Sequence, residues 1–195
     1  NITGQVQLLI GPGLGRCDDV SEVVESVLEY SKVPVIIDAD GINAVAENMK
    51  ALSSCTCPVI FTPHTVEMSR LTGLEREYIE DNRLVTAKEF AEENGVTLIL
   101  KGHHTIVTGQ DGEQYINITG NSGLATGGSG DVLAGTVASL VSRGINETVA
   151  SAMAVYIHGL AGDIAKDKYG IESVTASKVM ECIPCALRQI LQVEN

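Results

Sequence analysis

The chain has 195 residues, of which 44% are hydrophobic and 19% are charged, so its size and composition fit one globular domain. Its formal net charge of -12 leaves no broad basic surface, which argues against nucleic acid and anionic membranes as partners. A bound phosphate must therefore be held by backbone amides, by one or two cations or by a metal ion.

Runs of β-branched residues alternate with helical patterns along the first half of the chain. Strands are predicted at residues 5–10, 33–38, 58–62 and 97–100, and helices between them at residues 18–30, 41–49 and 75–94. Two further strands are predicted at residues 105–108 and 114–118, on either side of a turn at 109–112. This pattern indicates a hairpin at the sheet edge. The rest is predicted to be helical, at residues 131–143, 147–166 and 175–192, with a bend at Pro184. This order predicts an α/β fold with a central, mostly parallel sheet and helices on both faces.

The loops after the first four predicted strands carry patterned segments, which read GPGLGR, DADGIN, TPHTVE and KGHHT. In open parallel sheets, ligands bind beyond the carboxyl ends of the strands, so we expect a functional site at these loops. GPGLGR is similar to the dinucleotide fingerprint, but its third glycine is one place early and Arg16 stands where that fingerprint has glycine. A plain tight turn and a dinucleotide contact, with Asp38 downstream, both remain open.

The glycine-rich segment Gly127-Gly128-Ser129-Gly130-Asp131 precedes an apolar helix. Its amides and the helix amino terminus would form an anion hole, and Asp131 would lie in the first turn beside the anion. A base next to such a cradle is the minimum apparatus for activating a hydroxyl toward phosphoryl transfer. The alternative is a flexible turn in which Asp131 serves only as a helix cap.

Three other segments carry candidate ligand-binding side chains. Asp38 and Asp40 end a strand, where they could steer a magnesium ion or bind sugar hydroxyls, although one could simply cap the next helix. His64 and Glu67 are three residues apart at a helix start and could point at a shared cleft, although Glu67 is also placed for capping. Residues 101–105 offer a cation, a glycine backbone and a hydroxyl, which suits an adenosine phosphate.

Other patterns favour structural roles. His103 and His104 are adjacent in a segment expected to be extended, so their side chains should point to opposite sides and hold no metal together. His158 is expected to be a hydrogen-bonded core histidine. The longest uncharged apolar stretch, residues 148–162, is too short for a membrane span and predicts a buried helix. The five cysteines, spaced poorly for zinc, are expected to be buried thiols of a reducing compartment, and the lack of a leader pattern favours a cytoplasmic location.

Taken together, GPGLG, DADGIN, TPHxxE, KGHHT and NSGLATGGSGDVLAG resemble the ADP-dependent NAD(P)H-hydrate dehydratases, carbohydrate-kinase-like domains of the ribokinase superfamily. The resemblance runs across nearly the whole chain and is most specific in TPHxxE combined with GLATGGSGD. It implies a ribokinase-like fold, Mg2+ as cofactor and ADP rather than ATP as cosubstrate. The implied reaction dehydrates the S-epimer of hydrated NADH or NADPH and yields AMP and phosphate.

The same resemblance implies roles for particular residues. Asp131 would take the hydroxyl proton and, with Gly13 and His64, would contact the hydrated dinucleotide. Glu67 and Asp40 would organise magnesium and water. The nucleotide would be bound by two groups of residues: Lys101, Gly102, His103, His104 and Thr105, and Gly128, Ser129 and Gly130.

Family domains normally begin before the point that corresponds to residue 1, so we expect residues 1–195 to be a domain truncated at its amino terminus. The resemblance also implies a homo-oligomer, a tetramer. Three other functions remain open: a small-molecule alcohol kinase of the same superfamily, an NAD-linked oxidoreductase that uses GPGLG and Asp38, and a non-catalytic nucleotide sensor. Alcohol kinases share the glycine-rich loop but not TPHxxE.

Overall fold

A computed structural model describes residues 6–15 and 17–192, so Arg16 and the first predicted strand residue, Gln5, lie outside the described residues. The described strands form one sheet whose spatial order follows the chain. They are β1 (Leu8–Ile10), β2 (Val35–Ile37), β3 (Val59–Phe61), β4 (Thr97–Leu100), β5 (Ile106–Thr108) and β6 (Gln114–Ile116). Neighbours among β1 to β4 pair in parallel, whereas β5 and β6 pair antiparallel. The predicted mostly parallel sheet with an edge hairpin is therefore confirmed.

Helices follow the predicted order with two differences. The α-helices are α1 (Asp18–Tyr30), α2 (Asp40–Glu47), α3 (Thr65–Thr72), α4 (Arg76–Asp81), α5 (Arg83–Asn94), α6 (Ser129–Val141), α7 (Glu147–Tyr169) and α8 (Ala176–Gln192). The single helix predicted over 75–94 is wrong, because Asn82 (φ -125, ψ 33) leaves the helical region and separates α4 from α5. Short 3-10 helices at Met49–Ser54, Ser122–Leu124 and Ile171–Ser173 were not predicted. Pro184 lies inside α8, and the bend there stays a prediction.

Helices cover both faces of the sheet. Val35 and Ile37 of β2 pack in a cluster with residues of α1, α2, α3 and α5, while Ile36 between them packs with residues of α6 and α7. This division follows from the alternation of side chains along a strand. Because both faces are buried, every residue of β2, β3 and β4 is buried, as the near-continuous apolar runs of these strands require.

Helix α7 is long and apolar enough to cross a membrane by length and composition, but 56% of its most apolar window is buried within the fold. Its buried side chains pack against the sheet and α6 on one side and against α8 on the other. The packing of a core helix therefore accounts for this composition, and the predicted buried helix is confirmed.

Two glycines of α7 let the segment after β6 lie directly on the helix. A methyl group at Gly159 would lie 2.2 Å from Thr119 Oγ1 and 2.8 Å from the Thr119 backbone. A methyl group at Gly162 would lie 2.7 Å from Leu124 Cδ2. These contacts leave no room for a side chain, so the glycines set the position of the segment that leads into α6.

Replacement of Gly159 by alanine should lower the free energy of unfolding by about 2 kcal/mol, because the new methyl group overlaps backbone atoms of Thr119. The matched control is Gly135→Ala in α6, where a methyl group would meet nothing within 4 Å and helix propensity should add about 0.5–1 kcal/mol. Urea unfolding of both variants measures the difference. Equal effects of the two substitutions would show that the close packing at Gly159 does not matter for stability.

Candidate active site

A buried carboxylate connects the loops at the carboxyl edge of the sheet. Asp38 directly follows β2, and its side chain is only 2% exposed. It accepts a 2.6 Å hydrogen bond from Thr62 Oγ1, after β3, and a 2.9 Å hydrogen bond from Lys101 Nζ, after β4. The two partners compensate the loss of hydration of the carboxylate, and they hold three loops together.

Lys101 is surrounded by negative charge. Besides its contact with Asp38, its Nζ lies 3.8 Å from Glu67 Oε2, and its side chain is 20% exposed. The sequence-based interpretation treated this lysine as a cation for a phosphate, but its charge is already shared with two carboxylates. Any anion bound beside Lys101 therefore needs additional donors.

The amino terminus of α6 supplies such donors at the same place. Gly128 precedes the helix in the left-handed conformation, with φ of 82 degrees. A methyl group at Gly130 would lie 3.5 Å from Lys101 Nζ and 3.8 Å from Asp38 Oδ2, so the first turn of α6 lies directly against the ion pair. Free amides at a helix amino terminus bind anions. The fold thus brings the predicted nucleotide-binding residues Lys101 and Gly130 together.

His64 and Glu67 form a reciprocal cap at the start of α3. His64 Nδ1 accepts hydrogen bonds from the amides of Val66 and Glu67 at 3.1 and 3.2 Å, and Glu67 Oε2 accepts one from the His64 amide at 2.8 Å. Because Nδ1 is an acceptor, the proton of the neutral ring resides on Nε2. Burial lowers the pKa of His64 although Glu67 opposes the shift. Nε2 lies 3.3 Å from Glu67 Oε1, and the half-exposed ring can share its N–H with a ligand that approaches from solvent.

The first two loops pack tightly against each other. A methyl group at Gly11 would lie 1.7 Å from the carbonyl oxygen of Asp38, so only glycine fits there. The Gly15 amide donates a 2.9 Å hydrogen bond to Asp40 Oδ2. Gly13, the predicted substrate contact, is exposed between them. The GPGLG segment therefore lies beside the loop after β2.

The segment 101–105 forms a turn and not the expected extended strand. The rings of His103 and His104 are in contact, with centroids 3.9 Å apart, so the expectation that they point to opposite sides is wrong. The cause is the left-handed conformation of His104, with φ of 55 degrees. Within the turn Thr105 Oγ1 donates to the Gly102 carbonyl at 3.1 Å. Arg83 Nη2 holds the turn from α5 by donating to the carbonyls of Leu100 and Lys101.

Asp131 and Ser129 have different surroundings although both lie in the first turn of α6. Asp131 is exposed, as a residue that meets a ligand must be. Ser129 is 5% exposed, and its Oγ lies 3.2 Å from Nε2 of His158, which is 7% exposed. His158 is therefore a hydrogen-bonded core histidine, as predicted.

Sequence reasoning missed the residues that hold the site from behind. Asp163 of α7 accepts hydrogen bonds from the Gly120 amide and from Asn121 Nδ2, both at 2.9 Å. Asn121 Oδ1 in turn accepts a hydrogen bond from the Gly123 amide at 3.0 Å. Asp163 is the one charged residue within residues 148–165 of this helix, and a carboxylate in such a stretch requires partners, so that signal could have identified it.

Side-chain clusters typical of metal centres do not occur in the described ranges, where no three His, Cys, Asp or Glu side chains converge. Glu67, a predicted metal ligand, is buried and contacts His64 and Lys101, so it fits poorly as a direct ligand. Asp40 is partly exposed. The cysteines are free thiols; Cys182 is buried as expected, Cys55, Cys57 and Cys185 are only partly buried, and the expectation is wrong for Cys17, which is exposed.

Comparison with known proteins gives consistent matches over most of the chain. The family described as NAD(P)H-hydrate dehydratase matches residues 5–185. The bifunctional NAD(P)H-hydrate repair enzyme of Moorella thermoacetica is 40% identical over 183 residues, which are 94% of this chain and 34% of that enzyme. This chain thus spans about a third of that relative's length.

Two solved structures share the fold. The ADP/ATP-dependent NAD(P)H-hydrate dehydratase of Bacillus subtilis, co-crystallised with ATP and Mg2+, has a TM-score of 0.81 at 31% identity. The match covers 96% of this chain and 68% of that chain. A ribokinase-like superfamily protein from Enterococcus faecalis has a TM-score of 0.80 at 32% identity and is matched over 94% of this chain and 63% of its own. The predicted ribokinase-like fold is confirmed.

The buried ion pair should show strong energetic coupling. Asp38→Asn should lower the free energy of unfolding by about 2 kcal/mol or more, because it leaves the Lys101 ammonium short of its closest partner. The double variant with Lys101→Gln should lose at least about 1 kcal/mol less than the sum of the single variants.

The matched control is the exposed pair Lys88 and Glu92 on α5, whose charged atoms are 3.9 Å apart. The same double-mutant cycle in urea, with glutamine at both positions, should give a coupling below about 0.5 kcal/mol. Similar coupling in the two pairs would contradict the assignment of Asp38 and Lys101 as the connection among the loops.

Proposed function

Since this chain belongs to the NAD(P)H-hydrate dehydratase family, we propose that it uses ADP to dehydrate the S-epimer of hydrated NADH and NADPH. The observation that carries this proposal is the position of the first turn of α6, which lies against the ion pair of Lys101 and Asp38. Asp131 is exposed on the same turn. Such a turn can hold a phosphoryl group beside a base. The His64 N–H donor and the adjacent GPGLG segment provide contacts for the hydrated ring and its dinucleotide.

The chemistry explains why a dehydratase has the fold of a kinase. Hydroxide is a poor leaving group at neutral pH, so the ring hydroxyl must first be activated. Its oxygen attacks the β-phosphorus of ADP, the bond to the bridging oxygen breaks, and AMP leaves. The electron pair of the ring nitrogen then expels the new phosphate, a proton leaves the neighbouring ring carbon, and the reduced nicotinamide is restored.

Residues of this chain supply the proton acceptor and the oxyanion donors. Asp131 takes the proton of the ring hydroxyl, and the positive end of α6 stabilises its negative charge. Amides of Gly128 and Gly130 stabilise charge on the moving phosphoryl group, whereas the Ser129 amide donates to the Thr126 carbonyl at 3.2 Å. Lys101 adds a cation at the same place, and residues 102–105 form the turn against which the adenosine phosphate would lie.

Magnesium fits this site as a companion of the nucleotide. It takes oxygen ligands and is usually held by phosphates with one or two carboxylates, where it neutralises charge on the transferred group. Asp40, partly exposed at the start of α2, would be the protein ligand. Glu67 would act through its contacts with His64 and Lys101, because its carboxylate already faces both.

Of the alternatives, the oxidoreductase is disfavoured by topology. In the dinucleotide fold, with order 3-2-1-4-5-6, the fourth strand pairs with the strand that precedes the glycine-rich turn, whereas β4 here pairs with β3. An alcohol kinase shares the turn of α6 and Asp131, and the TPHxxE segment favours the dehydratase over it. A nucleotide sensor would not need Asp131. Cytoplasmic location and a homotetramer stay predictions.

The test incubates the full-length protein with hydrated NADH and magnesium, and follows recovery of reduced-nicotinamide absorbance with ADP, with ATP and with neither. Recovery is expected with ADP. Asp131→Ala should lower kcat about a thousandfold, because a general base contributes roughly 100- to 10,000-fold, while the Kd for ADP changes less than about threefold.

The control variant is Asp167→Ala, which removes an exposed carboxylate near the end of α7 and should leave kcat unchanged. Phosphorylation of a simple alcohol without any recovery of reduced nicotinamide would identify the protein as a kinase. Full activity of the Asp131 variant would remove this residue from the mechanism.

A further inference from the structure

A buried hydrogen bond joins the predicted phosphoryl-binding turn to α7. The Oγ atom of Ser129 lies 3.2 Å from Nε2 of His158, and both residues are almost fully buried. The other three histidines of the chain are exposed. The chemistry described above gives His158 no role, so its position directly behind the first turn of α6 needs another explanation.

The ring of His158 is neutral near pH 7. Burial lowers its pKa to about 4. A neutral imidazole carries one donor and one acceptor nitrogen, so it can bind a hydroxyl without adding charge. A charged ring would be repelled there, because the amino terminus of α6 is the positive end of the helix.

The same contact decides which atoms of Ser129 can reach a nucleotide. Its side chain is turned into the core and is engaged by His158, so the hydroxyl is not directed at the cleft. The Ser129 amide donates a 3.2 Å hydrogen bond to the Thr126 carbonyl, so neither polar group of Ser129 is directed at the cleft. This changes the sequence-based interpretation, in which Ser129 was a nucleotide-binding residue: Ser129 holds the turn, and the neighbouring amides would meet the anion.

Glycine-rich turns are not rigid by themselves. Gly127, Gly128 and Gly130 surround Ser129, and each lacks the side chain that would restrict its backbone. Ser129 is the one residue of this turn with a side chain packed in the core. A rotation of the turn would move the anion-binding amides and also Asp131, two residues further along. The turn needs an anchor, and the hydroxyl of Ser129 is placed to provide it.

We propose that His158 is a positioning residue that, through the Ser129 hydroxyl, fixes the turn so that its amides face the β-phosphate of ADP. The inference rests on the proposed function, because it takes the anion at this turn to be that phosphate. AMP lacks the β-phosphate and should not depend on the anchor. The apparent affinity for ADP is proportional to the fraction of molecules whose turn holds the binding geometry. A variant without the anchor should therefore lose affinity for ADP and not for AMP.

The experiment compares Kd values for ADP and AMP by calorimetry at constant magnesium. Ser129→Ala retains the amide and should raise the Kd for ADP about tenfold while the Kd for AMP changes less than about twofold. His158→Phe should behave alike, and the double variant should be no worse than Ser129→Ala. His158→Gln, whose amide can reach the hydroxyl, should regain most of the affinity for ADP.

The matched control is Ser151→Ala in α7. Like Ser129, Ser151 has a buried hydroxyl, but that hydroxyl has no hydrogen-bond partner in the described part of the chain. It should leave the ratio of the two Kd values unchanged. Urea unfolding of each variant separates a loss of stability from a loss of positioning. Should His158→Phe not fold, Ser129→Ala carries the test alone.

The inference would be overturned if Ser129→Ala left the ratio of the Kd values for ADP and AMP unchanged. Additive losses of affinity in the double variant would also overturn it, as would equal affinity of the unsubstituted protein for ADP and AMP. A protein that shows the predicted ratios but does not dehydrate hydrated NADH would count against the proposed function alone. The two failures are therefore distinguishable.

Discussion

The ion pair between Asp38 and Lys101 is the interaction on which the site depends. A carboxylate that is 2% exposed needs close hydrogen-bond partners, and Thr62 and Lys101 provide them from the ends of β3 and β4. The loop after β1 joins through Gly11, which lies against the Asp38 backbone. One residue thus connects the loops of four strands, three through its side chain and one through its backbone. The lysine charge is compensated in the process, so in the proposed function the amides of α6 are the main anion donors.

Helix α7 provides the second half of the framework. Four residues of this helix lie near one another because of their spacing: His158, Gly159, Gly162 and Asp163. Each of them contacts either the segment between β6 and α6 or the glycine-rich turn at the start of α6. The glycines allow close approach, the carboxylate binds backbone and side-chain donors, and the histidine meets the Ser129 hydroxyl. A single helix therefore shapes both the chain leading into the glycine-rich turn and the turn itself.

The sequence alone predicted the features that depend on hydrophobic periodicity or on the residues that follow a strand. Residues 97–100 and 18–30 have the predicted bounds, and the four patterned loops lie at one edge of the sheet. The break at Asn82 and the contact between the rings of His103 and His104 depend on single backbone conformations, which composition does not reveal. The pairing of Lys101 with Asp38, and of Asp163 with Asn121, depends on tertiary contacts across 63 and 42 residues.

In the proposed reaction, ADP phosphorylates the ring hydroxyl, and this oxygen then leaves as phosphate. Hydrated NADH labelled with heavy oxygen in that hydroxyl would follow the atom directly during one reaction in ordinary water. The label should appear in inorganic phosphate, at one atom per molecule, when the products are examined by mass spectrometry. Unlabelled phosphate, with the heavy oxygen released into water, would contradict it.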